Sequence, residues 1–327
     1  MNNVLRLCFP PRPHVRLRGL FWIVGAGLRP ALSAACAIST ALLLVVAFAP
    51  PARAQGRAEC RSAPSKILGH PVPYCVILPP SYDSQQTQRY PVLYSLHGLG
   101  GNSQTLIQSG GLDLIEDLWQ QKRIGEFLIV TPDAGRSFYI NSRDGRVRYE
   151  DFFIREFVPL IETHYRIRRE RAERGVSGMS MGGYGALRFA FLHPQLFGSV
   201  SAHSAALIEK APRFNMSAQQ DMGISRFLGA AFGSPFDPAF WDRESPLTIV
   251  RNGPRPTGLR IHFDCGTDDS YGFNRGAVAF DKLLSSRHIP HEFHLYTGSH
   301  DWPYFAQHLP ASLAFHSRAF GLPSSAN

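Results

Sequence analysis

Cysteine is scarce in this chain of 327 residues, which contains five of them. No two have the CxxC spacing of a redox or zinc site, so the sequence pattern excludes chemistry of that kind. Internal repeats and low-complexity linkers are also absent from the sequence, and nothing divides it into smaller domains. Hydrophobic residues make up 44% of the chain, which is enough to bury one large core.

Acidic residues are absent from residues 1–54, which carry six arginines. An apolar run at residues 31–49 follows five of these arginines, and Ala-Arg-Ala at residues 52–54 has the small-x-small form of a cleavage site. We expect residues 1–54 to be a signal peptide, which predicts a periplasmic or secreted protein with no stable membrane insertion after cleavage. An uncleaved membrane anchor and a misassigned start codon are the alternatives.

Strong net charge is lacking once this leader is set aside. The whole chain has 34 Lys and Arg against 25 Asp and Glu, and removing the six leader arginines leaves 28 against 25. Such a small excess of basic residues is not typical of a nucleic-acid-binding protein, so no nucleic-acid partner is expected.

Three cysteines, Cys60, Cys75 and Cys265, remain outside the leader, in a compartment that permits disulfides. Cys60 with Cys75 is the plausible pair, and three free thiols are the alternative.

Apolar runs alternate with helical stretches along the rest of the chain, a rhythm typical of a mainly parallel sheet with helices on both faces. We expect residues 55–71 to be an N-terminal extension and residues 72–327 to form one α/β domain. Residues 205–257 break the rhythm with proline-rich patches, which predicts a cap-like insertion over the carboxyl edge of the sheet or a passive surface cover. Strands are expected at residues 75–78, 92–96, 127–131, 174–177, 199–202, 259–264 and 292–296, and helices at 112–121, 149–164, 182–192, 276–287 and 302–320.

Residues 178–182 read Gly-Met-Ser-Met-Gly, the spacing of a nucleophile elbow. In such an elbow the chain turns tightly from a strand into a helix, and glycines two residues on either side of the serine avoid collisions. Ser180 is therefore the predicted nucleophile, and the backbone N–H of Met181, at the start of the helix, would face an oxyanion. A serine that stands by chance in a glycine-rich turn is the alternative.

The partners of such a serine are an acid and a histidine that follow it in the chain. Three carboxylates compete for the acid at the end of a predicted strand, and Asp269 is favoured over Asp268 and Asp264. His300 is the predicted base because it follows the last predicted strand and precedes the C-terminal helix. The resulting order of serine, acid and histidine is the order that an α/β-hydrolase fold requires.

Two further patterns concern an oxyanion and a metal. Residues 97–101 read His-Gly-Leu-Gly-Gly after a predicted strand, and we nominate the N–H of Leu99 as the second oxyanion donor.

Residues 291–294 read His-Glu-Phe-His, which is HExH rather than the HExxH of a zinc-binding helix. On a strand His291 and His294 point to opposite faces, so we expect a structural role and no metal.

Six blocks of sequence, in order, resemble the esterase D, or Putative esterase, family of the α/β-hydrolase fold. This family includes tributyrin-type esterases, feruloyl esterases, S-formylglutathione hydrolases and mycolyltransferases, and the resemblance runs over residues 72–319. It implies a serine hydrolase without a cofactor and supports Asp269 as the acid. Ala134 departs from the family pattern, since a glycine is common there. The blocks are residues 72–82, 90–102, 132–139, 177–186, 202–204 and 298–302.

The resemblance implies an exported serine carboxylesterase that hydrolyses short-chain acyl or carbohydrate esters through a Ser-His-Asp triad and an acyl-enzyme. Tyr139, His203 and Trp302 are the expected substrate contacts. The alternatives are an acyltransferase of the mycolyltransferase type, a thioesterase like S-formylglutathione hydrolase, and a non-catalytic binding protein on the same fold.

Overall fold

The computed structural model of the chain describes residues 55–213 and 228–324. The predicted signal peptide at residues 1–54 and part of the predicted insertion, residues 214–227, lie outside the described residues. Within them an 8-stranded sheet has the order β1-β2-β4-β3-β5-β6-β7-β8. Strands β1 and β2 and strands β2 and β4 pair antiparallel, and the remaining neighbours pair parallel. The strands are β1 (Arg57–Ala63), β2 (Val72–Leu78), β3 (Val92–Leu96), β4 (Leu128–Pro132), β5 (Arg174–Met179), β6 (Ser199–His203), β7 (Arg260–Gly266) and β8 (Glu292–Tyr296).

Strand β1 lies in what the sequence predicts as an N-terminal extension, and it was not among the expected strands. It is an edge strand, exposed or half-exposed along most of its length, so it has no apolar run to mark it. In the register of β1 and β2, Cys60 stands opposite Cys75, and their sulfur atoms form a disulfide. The pairing that the sequence left open is therefore present, and Cys265 is a buried free cysteine.

The predicted helices are confirmed to within three residues at each end, and the expected helix over residues 149–164 contains a π-helical turn at Phe153–Phe157. Two helices in the predicted insertion were not expected. Each has proline at its start, where the missing N–H costs nothing. The helices are α1 (Thr105–Gln108), α2 (Gly111–Gln120), α3 (Tyr149–Phe152), α4 (Val158–His164), α5 (Met181–Leu192), α6 (Pro238–Glu244), α7 (Pro246–Asn252), α8 (Phe273–Ser286) and α9 (Trp302–Ala319).

Helices cover both faces of the sheet because successive strand residues point to opposite sides. On one face Tyr94 belongs to a cluster with Phe153 and Phe189, whose rings stack at 4.5 Å. On the other face Leu93 packs in a second cluster with Leu118 of α2 and Leu313 of α9. The predicted architecture of helices on both faces of a mainly parallel sheet is confirmed. No helix in the described part of the chain is long and apolar enough to cross a membrane.

Arg188 of α5 is an almost completely buried cation, with 2% of its surface exposed. Its Nη1 lies 3.0 Å from Oε2 of Glu150 in α3, and its Nε donates to the carbonyl of Glu244 at 2.9 Å. The guanidinium also pairs with the Glu244 carboxylate. These contacts fix the helix that follows the elbow to α3 and to the insertion.

We expect Arg188→Met to lower the free energy of unfolding by about 3–5 kcal/mol, because it removes the buried guanidinium that the mostly buried carboxylates of Glu150 and Glu244 share. Urea denaturation followed by circular dichroism measures the change. The matched control is Arg143→Met, which breaks the exposed pair of Arg143 with Asp237 and should cost far less. Equal losses in the two variants would contradict this account of the buried pairs.

Candidate active site

Ser180 lies at the turn between the end of β5 and the start of α5. Its backbone has φ 55° and ψ −117°, a conformation that is strained for any residue with a side chain. Three hydrogen bonds hold it there: the Ser180 N–H donates to the carbonyl of His203 at 2.9 Å, and the Ser180 carbonyl accepts from the N–H groups of Tyr184 and Ala206 at 3.0 and 3.1 Å. The elbow is thus fixed by β6 and by the first turn of α5.

The glycines on either side of the serine are required by steric contact. A Cβ atom at position 178 would lie 2.2 Å from the backbone carbonyl carbon of Gly182. A Cβ atom at position 182 would lie 2.0 Å from the carbonyl oxygen of Leu96, at the end of β3. Both distances are far below van der Waals contact, so only glycine lets the helix start this close to the sheet.

Asp269 and His300 form a hydrogen-bonded pair, with Nδ1 of His300 2.7 Å from Oδ2 of Asp269. The other carboxylate oxygen of Asp269 accepts the backbone N–H groups of Tyr271 at 3.0 Å and Phe273 at 3.3 Å. Burial disfavours the ionised form, but the hydrogen bonds from His300 and from these backbone groups outweigh it and hold the pKa of Asp269 below its ordinary value. An ionised Asp269 keeps the proton of His300 on Nδ1, which leaves Nε2 free to accept one.

The other two candidate acids have different partners. Asp268 is exposed, and its carboxylate accepts the hydroxyl of Thr267 at 3.0 Å. Asp264 is buried, accepts the hydroxyl of Tyr304 at 2.6 Å and lies 2.7 Å from Nδ1 of His203. Burial opposes ionisation of Asp264, but His203, His262 and Tyr304 together hold its pKa far below the ordinary range. Of the three carboxylates, Asp269 is the one that contacts His300.

The parallel strands bring these residues to one edge of the sheet. Ser180 follows β5, Asp269 follows β7 and His300 follows β8, and the carboxyl ends of parallel neighbours lie at the same edge. Aromatic rings surround the imidazole of His300, with centroid distances of 4.8 Å to Tyr271, 5.5 Å to Phe273 and 5.4 Å to Phe305. The pair of His300 and Asp269 therefore lies in an apolar surrounding, where charged interactions are strong.

The loop after β3 lies against the serine. A Cβ atom at Gly98 would be 3.5 Å from Cβ of Ser180, and no described residue accepts a hydrogen bond from the N–H of Leu99. Met181 is the first residue of α5, so its N–H has no acceptor within the helix. His97 braces the loop, since its Nε2 accepts the N–H of Ala134 at 2.9 Å and its Nδ1 donates to the carbonyl of Gly98 at 2.7 Å.

The structure corrects two of the expected substrate contacts. Tyr139 is 0% exposed, and its hydroxyl donates to the carbonyl of His97 at 3.0 Å, so it supports the loop after β3 from the core. His203 is also 0% exposed and lies beneath the elbow beside Asp264. The sequence placed both residues near the site but could not show that their side chains point into the core. Trp302, partly buried at the start of α9, stays a prediction.

Tyr271 is a site residue that the sequence reasoning missed. Its ring lies next to His300, stacks on Phe273 at 5.5 Å and is 69% exposed. A large aromatic side chain so exposed beside a histidine is available to contact a ligand. Its position two residues after Asp269 was a possible signal, although exposure cannot be read from the sequence.

A small cavity of about 140 Å³ lies beside the segment after β4. Ala134, Ser137 and Ile140 line one side of it, and Ala230 of the predicted insertion contributes to the lining. The predicted insertion therefore contacts the segment after β4.

The strand order and the elbow define this chain as an α/β-hydrolase fold. Residues 65–316 match the family described as Putative esterase, and the chain belongs to that family.

The comparisons with individual proteins agree with this membership. An esterase of Mycobacterium tuberculosis (strain ATCC 25618 / H37Rv) is 32% identical over 249 residues, which are 69% of this chain and 51% of that protein. An acetyl esterase of Caldicellulosiruptor saccharolyticus is 23% identical over 263 residues, 78% of this chain and 96% of that protein. This chain thus spans about half the length of the mycobacterial relative.

Solved structures give the same fold. A ferulic acid esterase superposes with a TM-score of 0.70 at 28% identity, over 82% of this chain and 99% of that one. An S-formylglutathione hydrolase from Agrobacterium tumefaciens superposes with a TM-score of 0.64 at 21% identity, over 84% of this chain and 99% of that one. The predicted fold class and family are both confirmed.

Proposed function

We propose that this protein is an exported serine carboxylesterase. The observation that carries the proposal is the 2.7 Å hydrogen bond between His300 and Asp269, at the same edge of the sheet as a serine in a strained elbow. Ester hydrolysis requires a serine presented at a strand-to-helix turn and a histidine that a carboxylate orients.

In the proposed reaction, Oγ of Ser180 attacks the ester carbonyl while Nε2 of His300 takes its proton. Asp269 holds the imidazole and stabilises its positive charge. The N–H groups of Leu99 and Met181 donate to the oxyanion. The intermediate collapses to an acyl-enzyme, and the alcohol leaves with the proton from His300. Water then attacks the acyl group by the same steps and regenerates the serine.

Export is supported by two features of the chain. Residues 1–54 have the charge and apolar pattern of a signal peptide. The disulfide between Cys60 and Cys75 is of a kind that persists in oxidising compartments. We therefore place the protein in the periplasm or outside the cell, where a cytosolic thioester such as S-formylglutathione is not available to it. N-terminal sequencing of the exported protein is expected to give Gln55.

Short-chain acyl or carbohydrate esters are the proposed substrates, since relatives include an acetyl esterase and a ferulic acid esterase. The test is a panel of p-nitrophenyl esters of increasing acyl length, an acetylated sugar, a feruloyl sugar and S-formylglutathione. We expect hydrolysis of the oxygen esters with free acid as product. Transfer of the acyl group to an added sugar would favour the acyltransferase instead, and turnover of the thioester alone would favour the thioesterase.

Tyr271 is proposed to contact the alcohol half of the substrate. His300 returns its proton to the leaving alcohol, so groups beside His300 border that half, and an exposed ring offers a flat apolar face to a sugar. We expect Tyr271→Ala to raise KM for an acetylated sugar roughly 3–10-fold, with little change for methyl acetate. Tyr271→Phe keeps the ring and should resemble the original protein. Equal effects of Tyr271→Ala on both substrates would contradict the assignment.

A further inference from the structure

Strands β7 and β8 place three potential metal ligands on one face of the sheet. Their register sets His262 opposite Glu292 and Asp264 opposite His294. Because side chains alternate along a strand, Glu292 and His294 share the face of His262. The ligand atoms of His262, Glu292 and His294 all lie within 4.8 Å of one another. Nδ1 of His262 is 3.2 Å from Oε2 of Glu292.

We propose that His262, Glu292 and His294 bind a divalent transition-metal ion of the zinc class. Two imidazole nitrogens and one carboxylate oxygen are a donor set that Zn²⁺ takes in proteins, with water in the fourth position. Zinc needs its ligand atoms closer than 4.8 Å, since each stands about 2.0–2.2 Å from the ion. Glu292 and His294 are exposed on an edge strand, so their side chains can close around an ion that arrives from solvent.

The buried ligand, His262, has a carboxylate near its second ring nitrogen. The second ring nitrogen of His262, Nε2, lies 3.7 Å from Oδ2 of Asp264, while Nδ1 faces the other two ligands. A carboxylate behind the distal nitrogen of a ligating histidine fixes its ring and its tautomer. Asp264 is itself held by the hydroxyl of Tyr304 at 2.6 Å. His262 is 3% exposed, so the packing around it holds its ring in place.

Arg318 is the cation that a metal ion would have to displace. Its Nη2 lies 3.6 Å from Oε2 of Glu292, and both side chains are nearly half exposed. An exposed pair at that distance is weak and is screened by salt. A doubly charged ion held by three ligands competes with it effectively.

The His-Glu-Phe-His motif at residues 291–294 did not reveal this site. Its spacing led to the expectation of no metal. His291 precedes β8, and its Nε2 contacts Asp281 at 2.9 Å, so the first histidine of the motif takes no part in the cluster. The missing ligand is His262, which comes from the neighbouring strand. Only the register of β7 and β8 brings it to Glu292 and His294.

The site is separate from the proposed catalytic residues but is connected to their support. Asp264 lies between His262 and His203, and the carbonyl of His203 accepts the N–H of Ser180 at 2.9 Å. A bound ion would join the edge strand β8 to β7 and stiffen this connection. We therefore assign it a stabilising role.

The test is calorimetric titration of the untagged full chain, freed of metal, with zinc chloride at neutral pH. We expect one ion per chain, and roughly tenfold or greater weakening in both His294→Ala and Glu292→Gln. His291→Ala is the matched control and should bind as the original chain does, and Arg318→Ala should bind at least as tightly. Substitution with Co²⁺ should give the intense visible absorption of a tetrahedral site.

Two results would overturn the proposal. One is the absence of zinc uptake by the original chain at zinc concentrations up to about 1 mM, where any specific site of this donor set is occupied. The other is equal affinity in the original chain and in His294→Ala. Circular dichroism and melting of the metal-free variants show that they remain folded, so weak binding cannot be attributed to unfolding. With saturating zinc, the melting temperature of the original chain should rise by about 5 °C, and that of His294→Ala should not.

Discussion

Ser180→Ala is expected to lower kcat/KM for p-nitrophenyl acetate by roughly three orders of magnitude or more, with the protein still folded. The loss is large because no other group in the proposed mechanism can form the acyl-enzyme. What activity remains would come from the oxyanion donors and from substrate binding. Alanine occupies the same strained backbone conformation as serine, so the melting temperature should hardly change.

The control for this variant is Ser299→Ala, which removes the hydroxyl next to His300 in the chain. Ser299 has no role in the proposed chemistry, and we expect its variant to keep activity within a few-fold of the original. Near-normal turnover by Ser180→Ala, in protein freed of contaminating esterase by a second purification, would contradict the assignment of the nucleophile.

Asp269→Asn is expected to reduce kcat by roughly three to four orders of magnitude. The amide N–H of an asparagine side chain can donate a hydrogen bond to Nδ1 of His300 and so favours the wrong tautomer of the imidazole. Asp268→Asn, one residue away, is the matched control. Because the Asp268 side chain is exposed and contacts Thr267, we expect nearly full activity from it.

The pH dependence of this deficit follows from the lowered pKa of Asp269. A carboxyl group with a pKa below its ordinary value stays ionised throughout the neutral and alkaline range. The deficit of Asp269→Asn should therefore persist from pH 6 to pH 9, because Asp269 of the original protein does not lose its charge in this range. A severe loss in Asp268→Asn together with a mild one in Asp269→Asn would reverse the assignment of the acid.

Strands with continuous apolar runs were the most predictable part of the fold. The bounds expected for β3, which is such a run, are those of the structure, Val92–Leu96. Strand β1 could not be predicted in this way, because it is mostly exposed and has no apolar run, and its pairing with β2 identifies it. Helices α6 and α7 were obscured by the prolines that begin them, since a proline marks a break and a helix start alike.

The site was predictable where a motif fixes the backbone. The two glycines around Ser180 predict the elbow, because larger side chains there would clash. The order of Asp269 and His300 in the chain follows from the fold that this motif implies. The direction of a side chain was not predictable, because it depends on packing across the sheet. Tyr139 and His203 turn into the core for this reason, while Tyr271 turns outward beside His300.

Residues gathered across strands were the least predictable. His262 lies 30 residues before Glu292 in the chain, and the two stand opposite each other only through the pairing of β7 with β8. The same holds for Asp264, the third candidate acid, which instead contacts His203 at 2.7 Å and Tyr304 at 2.6 Å. A turn with several aspartates does not reveal their partners until the neighbouring strands are known.

The measurement that tests the central claim most directly is covalent labelling with a fluorophosphonate, followed by peptide mapping by mass spectrometry. Such a reagent reacts with serines that an adjacent base activates. We expect one adduct per chain, located on the peptide that contains Ser180, and no labelling of Ser180→Ala. An unlabelled original protein, or an adduct on a different residue, would contradict the claim that Ser180 is the nucleophile.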